Sequence, residues 1–260
     1  MKRILTFLIV SLCVISLCAT QVFAADQAYS WYCVRNKEHK QPKADPQMVF
    51  VEKYGGYYVD KRYDENNLQK VIYLTFDAGY ENGNVSKILD VLKKENVSAA
   101  FFVLDNLIAR NKDLIIRMAD EGHLVCNHTS KHLDVTKCTT IDEFRAELEL
   151  LEKNYENATG RQMPKYFRPP EGKFSQKSME YASELGYKTI FWSFAYADWD
   201  NSSQMSHGAA KEKIMSNLHN GEIMLLHPTY ATNAEILGDI ICELKAQGYR
   251  FGTLDELTNA

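Results

Sequence analysis

The sequence predicts an α/β fold built on a parallel sheet with helices packed outside it. Three observations carry this expectation. From Val71 onward, short apolar runs alternate with amphipathic helical stretches. Every connection between runs is long enough for a crossover helix, which parallel strands require. Polar side chains of the kinds used in catalysis collect just past the ends of the runs, where parallel α/β folds carry out their chemistry.

The first run, Val71-Ile72-Tyr73-Leu74-Thr75-Phe76, reads as a strand buried on both faces. Gly79 and Gly83 separate it from a helix in which Val85, Ile88, Leu89 and Leu92 share one side. A second strand over 99–103 is followed by a helix over 108–121 that Gly122 ends. The third strand spans 123–127 and leads to a long helix over 141–158, with Gly160 as its stop signal. Tyr166-Phe167-Arg168 makes a short fourth strand before a helix over 176–185 closed by Gly186. Strand five over 188–192 passes through a loop to a helix over 209–219, strand six covers 223–226, and a helix over 234–247 precedes strand seven at 250–253. This order suits an open doubly wound sheet or a barrel. Residues 70–260 read as one domain, since no repeat, linker or low-complexity tract interrupts them. Residues 25–69 form an N-terminal extension in which 48–59 is expected to make a hairpin around Gly55-Gly56.

The start of the chain is a targeting segment. Met1-Lys2-Arg3 is positive, 4–19 is apolar apart from Thr6, Ser11 and Ser16, and Val22-Phe23-Ala24 precedes a cleavage point after Ala24. Residues 1–24 are therefore expected to be a signal peptide, with an uncleaved anchor as the alternative. Such a leader implies export, with no membrane span after cleavage. The full chain has 30 Lys and Arg against 34 Asp and Glu, and the leader holds two of the cations and no acid. A net-acidic chain without a basic block excludes nucleic acid as a partner. Of the four cysteines beyond the leader, Cys33, Cys126, Cys138 and Cys242, no pair has zinc spacing, and Cys126 and Cys242 are expected to be buried as small apolar residues.

Asp77 follows strand one, His128 and His132 follow strand three, Arg168 ends strand four, Asp198 and Trp199 lie beyond strand five, and His227 ends strand six. The His128-x-x-x-His132 spacing reads either as two imidazoles on one side of a helical turn, a nucleus for a transition-metal site with open positions, or as a pair of solvated loop histidines. Asp77 reads as a carboxylate at a strand mouth or as a turn acid. Pro169 and Pro170 stiffen the chain after Arg168, and an Arg so held can pin a carboxylate in a two-pronged contact and keep it ionised. His227 reads equally as a satisfied core histidine or as a general acid. Gly-x-Ser-x-Gly, HExxH, GxGxxG and P-loop strings are all absent, which excludes the commonest serine, zinc-peptidase and nucleotide chemistries.

Thr75-Phe76-Asp77, His128-x-x-x-His132, Arg168-Pro169-Pro170-x-Gly172, Asp198-Trp199 and Leu225-Leu226-His227 occur in an order that resembles the polysaccharide deacetylases, the NodB-homology family 4 carbohydrate esterases. The longer strings 75–83, 168–175 and Asn233-Ala234-Glu235, with the 31–45 leader of the extension, are similar to the branch that deacetylates N-acetylmuramic acid on the way to the muramic δ-lactam of spore cortex. The resemblance implies a distorted (β/α)7 barrel and hydrolysis of an N-acetyl group on a peptidoglycan glycan strand. It makes Asp77 the general base, Arg168 its orienting partner, and His227 the general acid tuned by Asp198. It gives His128 and His132 a divalent metal, zinc before others, and assigns substrate contacts to Trp199, Leu225, Tyr80 and Pro170. An N-acetylmuramoyl-L-alanine amidase is the implied functional partner, because the muramic acid must first lose its peptide.

One position departs from the family. A second acid normally follows the base, and here Ala78 stands in its place. A methyl group cannot ligate, so the expected metal keeps only two protein ligands unless Asp77, Glu81 or water fills in, and losing the anionic ligand is expected to weaken binding and leave the ion more Lewis-acidic. The alternatives are a deacetylase of peptidoglycan N-acetylglucosamine or chitin oligomers and, further off, a non-catalytic glycan-binding protein.

Overall fold

The computed structural model describes residues 26–36 and 38–259, so the targeting segment lies outside the described residues. The extension contributes β1 (Ala28–Ser30), β2 (Cys33–Val34), β3 (Lys43–Ala44) and β4 (Gly56–Tyr57). The body then alternates: β5 (Lys70–Ala78), α1 (Asn84–Glu95), β6 (Ala100–Val103), α2 (Asp105–Arg110), α3 (Lys112–Asp120), β7 (Leu124–Asn127), α4 (Ile141–Thr159) and β8 (Tyr166–Phe167). After it come β9 (Lys173–Ser175), α5 (Gln176–Glu184), β10 (Lys188–Ile190), α6 (His207–Met215), β11 (Glu222–Leu226), α7 (Ala231–Ala246), β12 (Tyr249–Phe251) and α8 (Leu254–Thr258).

The strands join in the order β11-β5-β6-β7-β8-β10-β4, with β12 also on β5, and every ladder between them is parallel. Isolated bridges from Val59 to Glu222 and from Phe194 to Met224 bring the two ends of this path together. The result is the distorted barrel that the resemblance implied, with all seven strands expected in the body present. Its seam is closed by single bridges where a full ladder would otherwise run.

The side-chain alternation of β5 sets up everything above it. Ile72, Leu74, Phe76 and Ala78 face the helices and join one buried cluster with Val85, Ile88, Leu89 and Leu92 of α1 and Ile236, Leu237, Ile240 and Ile241 of α7. Val71 and Tyr73 face the barrel interior with Ala100, Phe102, Ile190 and Ile223. The inner row continues through Thr75 to Asp77, so it changes from apolar to charged on approaching the carboxyl end of the barrel.

Four expectations of backbone conformation and burial are corrected. The segment expected to be a hairpin forms a 3-10 helix, Val49–Tyr54, and β4 pairs in parallel with β10. Gly55 ends the helix in the left-handed region at φ 71°, and a Cβ on Gly56 would lie 2.7 Å from the Val51 carbonyl oxygen. The turn glycines thus serve a helix stop. The single helix expected over 108–121 is divided at Asn111, whose φ of −135° and ψ of 49° interrupt the helical path between α2 and α3. Cys126 is buried but Cys242 is exposed, because Ile240, Ile241 and Leu244 supply the inward stripe of α7. The fourth correction concerns His128 and His132 and is described with the site.

The extension packs onto the body. β1 runs antiparallel to β9, and Trp31, 5% exposed, stacks on Phe191 with ring centroids 4.4 Å apart. Its Nε1–H donates to the Trp192 carbonyl at 2.8 Å. No helix among the described residues is long and apolar enough to cross a membrane. Trp31→Ala is expected to cost about 3–5 kcal/mol, the usual range for emptying a buried aromatic site. Urea unfolding checks this, and an unchanged midpoint would mean that the extension adds nothing to the stability of the body.

Candidate active site

Arg168 is fully buried beneath the mouth of the barrel. Its Nε–H donates to the Ile190 carbonyl at 2.9 Å, and its two terminal nitrogens divide their hydrogens. One donates to Asp77 Oδ1 at 2.8 Å, and the other to Thr75 Oγ1 at 2.9 Å and the Phe191 carbonyl at 3.2 Å. The guanidinium also lies 4.1 Å from the centroid of the Phe102 ring. The sequence suggested a two-pronged clasp of the carboxylate. The structure instead uses one prong and leaves Asp77 Oδ2 without a hydrogen-bond partner among the described residues. Thr75, whose hydroxyl donates to the Met224 carbonyl at 2.7 Å, takes up the second nitrogen.

His128 and His132 do not sit on a helical turn. Residues 128–134 are a loop, with Thr129 at φ 66° and His132 at φ 58° in the left-handed region. Buried Asn127 shapes this loop. Its side chain accepts from the Thr129 amide at 2.9 Å and donates to the Leu148 carbonyl at 3.0 Å. The two imidazoles nonetheless meet, with ring centroids 5.2 Å apart and edge to face. His128 Nδ1 bonds the Arg168 carbonyl at 2.8 Å, which assigns the proton to Nδ1 and leaves the Nε2 lone pair free. Nε2 lies 3.6 Å from Asp77 Oδ2, too far for a hydrogen bond.

The second half of the site is placed by register. Ile223 pairs with Tyr73 and Leu225 with Thr75, so one further step places His227 beside Asp77. Asp198 is buried, and its Oδ1 meets His227 Nδ1 at 2.7 Å while its Oδ2 accepts the His227 backbone N–H at 2.8 Å. The His227 Nε2 is thereby turned away from Asp198. Leu225 is buried on the inner row two residues before His227. Trp199 is 65% exposed and stands edge to face with His227 at 6.1 Å, forming an outer wall. Tyr80 is also exposed, and its hydroxyl accepts from Asn201 Nδ2 at 2.7 Å, which ties the loop after β5 to the Trp199 loop. Pro170 is buried at the start of a one-turn 3-10 helix, Pro170–Gly172, behind Arg168.

Comparison with known proteins agrees with this geometry. A family description of polysaccharide deacetylases matches residues 64–190. The chain is 40% identical to the peptidoglycan-N-acetylmuramic acid deacetylase PdaA of Bacillus subtilis over 89% of its length and 86% of that protein. It superimposes on the solved structure of PdaA, a family 4 carbohydrate esterase, with a TM-score of 0.83, covering 89% of this chain and 97% of that one. The chain belongs to the polysaccharide deacetylase family. The peptidoglycan-N-acetylglucosamine deacetylase PgdA of Listeria monocytogenes is 35% identical over 72% of this chain and 39% of its own length. A family 4 pseudoenzyme from Bacillus anthracis is 29% identical, with a TM-score of 0.68 over 78% of this chain and 68% of that one.

In this deacetylase the electrostatics separate the two sides of the site. Burial works against ionisation of Asp77, but the charges of Arg168 and His227, with the hydrogen bond from Arg168, outweigh it and hold the carboxyl below its usual range. Burial likewise disfavours the charged form of His227, yet the hydrogen bond and charge of Asp198, with the charge of Asp77, raise it above an ordinary imidazole. His128 goes the other way. Burial pushes it down to about 4, so it is neutral and its Nε2 can act as a donor to a metal.

Deacetylases of this family are generally metal-dependent. His128 and His132 fit a cation held by two imidazoles, and among the described residues no group of three or more His, Cys, Asp or Glu is placed to share one. Ala78 cannot contribute. It pairs with Val103 on the outward face of β5 and packs in the apolar cluster with Phe76 and Leu107, opposite Asp77. Asn127, Thr75, Tyr196 and Asn233 complete the hydrogen bonding of the site. Sequence reasoning gave them no role, although Thr75 and Asn233 lie inside the strings that carry the family resemblance.

Arg168→Met leaves Asp77 buried without its cation, and the expected cost is about 3–5 kcal/mol at neutral pH. Because the folded pKa of Asp77 is depressed, its stabilisation is complete above the unfolded value of about 3.9 and is lost as pH falls through the folded value. The gap between parent and variant in urea unfolding should therefore narrow in acid. A gap that is constant with pH would remove the Asp77–Arg168 charge pair as its source.

Proposed function

We propose that this chain hydrolyses the N-acetyl group of peptide-free N-acetylmuramic acid in peptidoglycan. One observation carries the chemistry: continuing the β5–β11 register sets a carboxylate held by buried Arg168 beside an imidazole whose proton affinity is raised by buried Asp198. Two titratable groups driven apart in this way have the pattern of a base and an acid. The similarity to PdaA supports muramic acid as the substrate.

Amide hydrolysis needs an activated water, a stabilised oxyanion and a protonated leaving nitrogen. Asp77 Oδ2, the oxygen that Arg168 does not hold, takes a proton from the attacking water as its oxygen bonds the acetyl carbon. His227 Nε2 then gives its proton to the sugar nitrogen as the C–N bond breaks, and acetate and a free amine leave. His128 and His132 would hold a divalent cation, zinc before others, which when bound would polarise the acetyl carbonyl and ease deprotonation of water. Leu225 and Trp199 bound the space for the acetyl methyl, Pro170 stiffens the floor under Arg168, and Tyr80 lies at the rim where its backbone N–H can face the oxyanion.

The product carries an amine on the carbon next to the one bearing the lactyl group. That amine closes to a δ-lactam only if the lactyl carboxyl is free of peptide, so an N-acetylmuramoyl-L-alanine amidase acts earlier in the same sequence. We place the enzyme in formation of spore cortex, exported by a signal peptide over 1–24, with an extension over 25–69 and the deacetylase domain over 70–260.

Residues 25–260, assayed with and without chelator on peptide-free peptidoglycan and on an N-acetylglucosamine oligomer, should release acetate from muramic acid alone and lose activity with the metal. Asp77→Asn should abolish turnover while sparing glycan binding. Acetate from the oligomer would move the enzyme to the glucosamine deacetylases, and acetate from neither, with metal supplied, would favour a glycan-binding protein. The kcat/KM profile should be a bell whose acid limb lies below the ordinary carboxylate range. Its alkaline limb should lie above the ordinary imidazole value of about 6.5, since turnover needs Asp77 ionised and His227 protonated. An alkaline limb below 6.5 would remove His227 as the acid.

A further inference from the structure

Asn233 is 1% exposed in the first turn of α7. Its Nδ2 donates to Asp198 Oδ2 at 2.6 Å and to the His227 carbonyl at 3.1 Å. Its Oδ1 accepts from the Tyr196 hydroxyl, which fixes which end of the amide faces Asp198. Each polar atom of the side chain is therefore committed to the Asp198–His227 pair or to the group that orients it. A side chain at this place in a helix often reaches back to cap the N-terminus. Asn233 does not, and α7 has no side-chain cap at Tyr230.

We propose that Asn233 is a positioning residue, whose amide locks the Asp198 carboxylate against the His227 imidazole so that Nδ1 stays committed to Asp198 and Nε2 faces the leaving nitrogen. With Asn233 present, Asp198 Oδ2 receives two donors and Oδ1 is left to His227 Nδ1. The choice of a neutral donor matters. A Lys or Arg at this position would cancel the carboxylate charge and draw the His227 proton affinity down, whereas an amide fixes the geometry and leaves the charge in place. Asp77 and Arg168 act on His227 from the opposite side of the site, and Tyr196 and Tyr230 are the titratable groups packed near Asp198. Burial holds the Tyr196 phenol above its ordinary value, so it is a neutral donor at physiological pH.

The inference rests on the deacetylase reading for its kinetic arm, so the test includes an arm that needs no substrate. NMR titration of the metal-free protein follows the His227 ring and its Nδ1–H resonance in the parent, Asn233→Leu and Tyr196→Phe. Removing a donor from Asp198 concentrates charge on Oδ1, so the His227 midpoint is expected to rise in Asn233→Leu and, by less, in Tyr196→Phe, where the amide is free to turn. The alkaline limb of kcat/KM should move the same way. In Asn233→Leu, kcat should fall at least tenfold with KM changed less than twofold. Asn233→Ser replaces Asn233→Leu if the apolar side chain prevents folding, and the same rise is expected. A His227 midpoint equal to the parent in folded Asn233 and Tyr196 variants would overturn the proposal, whatever the activity. Shifted midpoints in a protein that releases no acetate from any glycan would retain the positioning role and reject the deacetylase reading.

Discussion

The site depends on one buried cation. Arg168 is fully enclosed, and a guanidinium taken out of water without partners would cost several kcal/mol. The barrel supplies the compensation from three directions: carbonyls of Ile190 and Phe191 at the end of β10, the Thr75 hydroxyl and Asp77 carboxylate of β5, and the face of Phe102 on β6. No single strand could satisfy it. The side chain therefore ties three strands together and fixes the Asp77 carboxylate. The Arg168 carbonyl also receives His128 Nδ1, so the same residue sets which nitrogen of His128 points into the site. Pro169 and Pro170 come directly after it and restrict the backbone that would otherwise let both contacts drift.

From this anchor the charges fall into two pairs. Asp77 with Arg168 and His227 with Asp198 are each close to neutral as a unit, which lowers the cost of burying them in a net-acidic chain. Yet they differ in what they expose. The first pair presents a free carboxylate oxygen and the second an imidazole Nε2, and the β5–β11 register, continued past Leu226 and Phe76, sets the two residues opposite each other. His128 stays outside both pairs. Enclosed and 3.6 Å from Asp77, it stays neutral with its Nε2 lone pair free.

Much of this was legible in the sequence because parallel strands and their ends leave strong local signals. A doubly buried run such as Val71–Phe76 must be central, and the residues just past its end must lie at the barrel mouth. Hence Asp77, Arg168, Asp198 and His227 could be named before their distances were known. The errors arose where short segments were decided by tertiary partners. Gly55-Gly56 serves a helix stop and a parallel strand as readily as a hairpin, and only β10 decides between them. The spacing of His128 and His132 suggested a helical turn, whereas Asn127 bonds the Thr129 amide and the backbone bends into the left-handed region twice. Asn233 lies 35 residues from Asp198, and no periodicity links positions that far apart.

Ala78 shows how a motif read as a string can mislead about space. Read as a string, it is a missing ligand beside the base, which suggests a gap next to the histidines. Strand alternation says otherwise: Asp77 faces the interior with Thr75, and Ala78 faces the helices with Phe76. Its carbonyl accepts the Leu104 amide at 3.3 Å, and its methyl fills space that a carboxylate would take only by burying a charge among Val103 and Leu107. The two-histidine arrangement is thus matched by the packing around it. With one acid fewer, Asp77 is the only carboxylate set against His128 among the described residues, and its charge is already shared with Arg168. A cation there would be less fully neutralised by protein ligands, which favours polarising a carbonyl over holding the ion tightly.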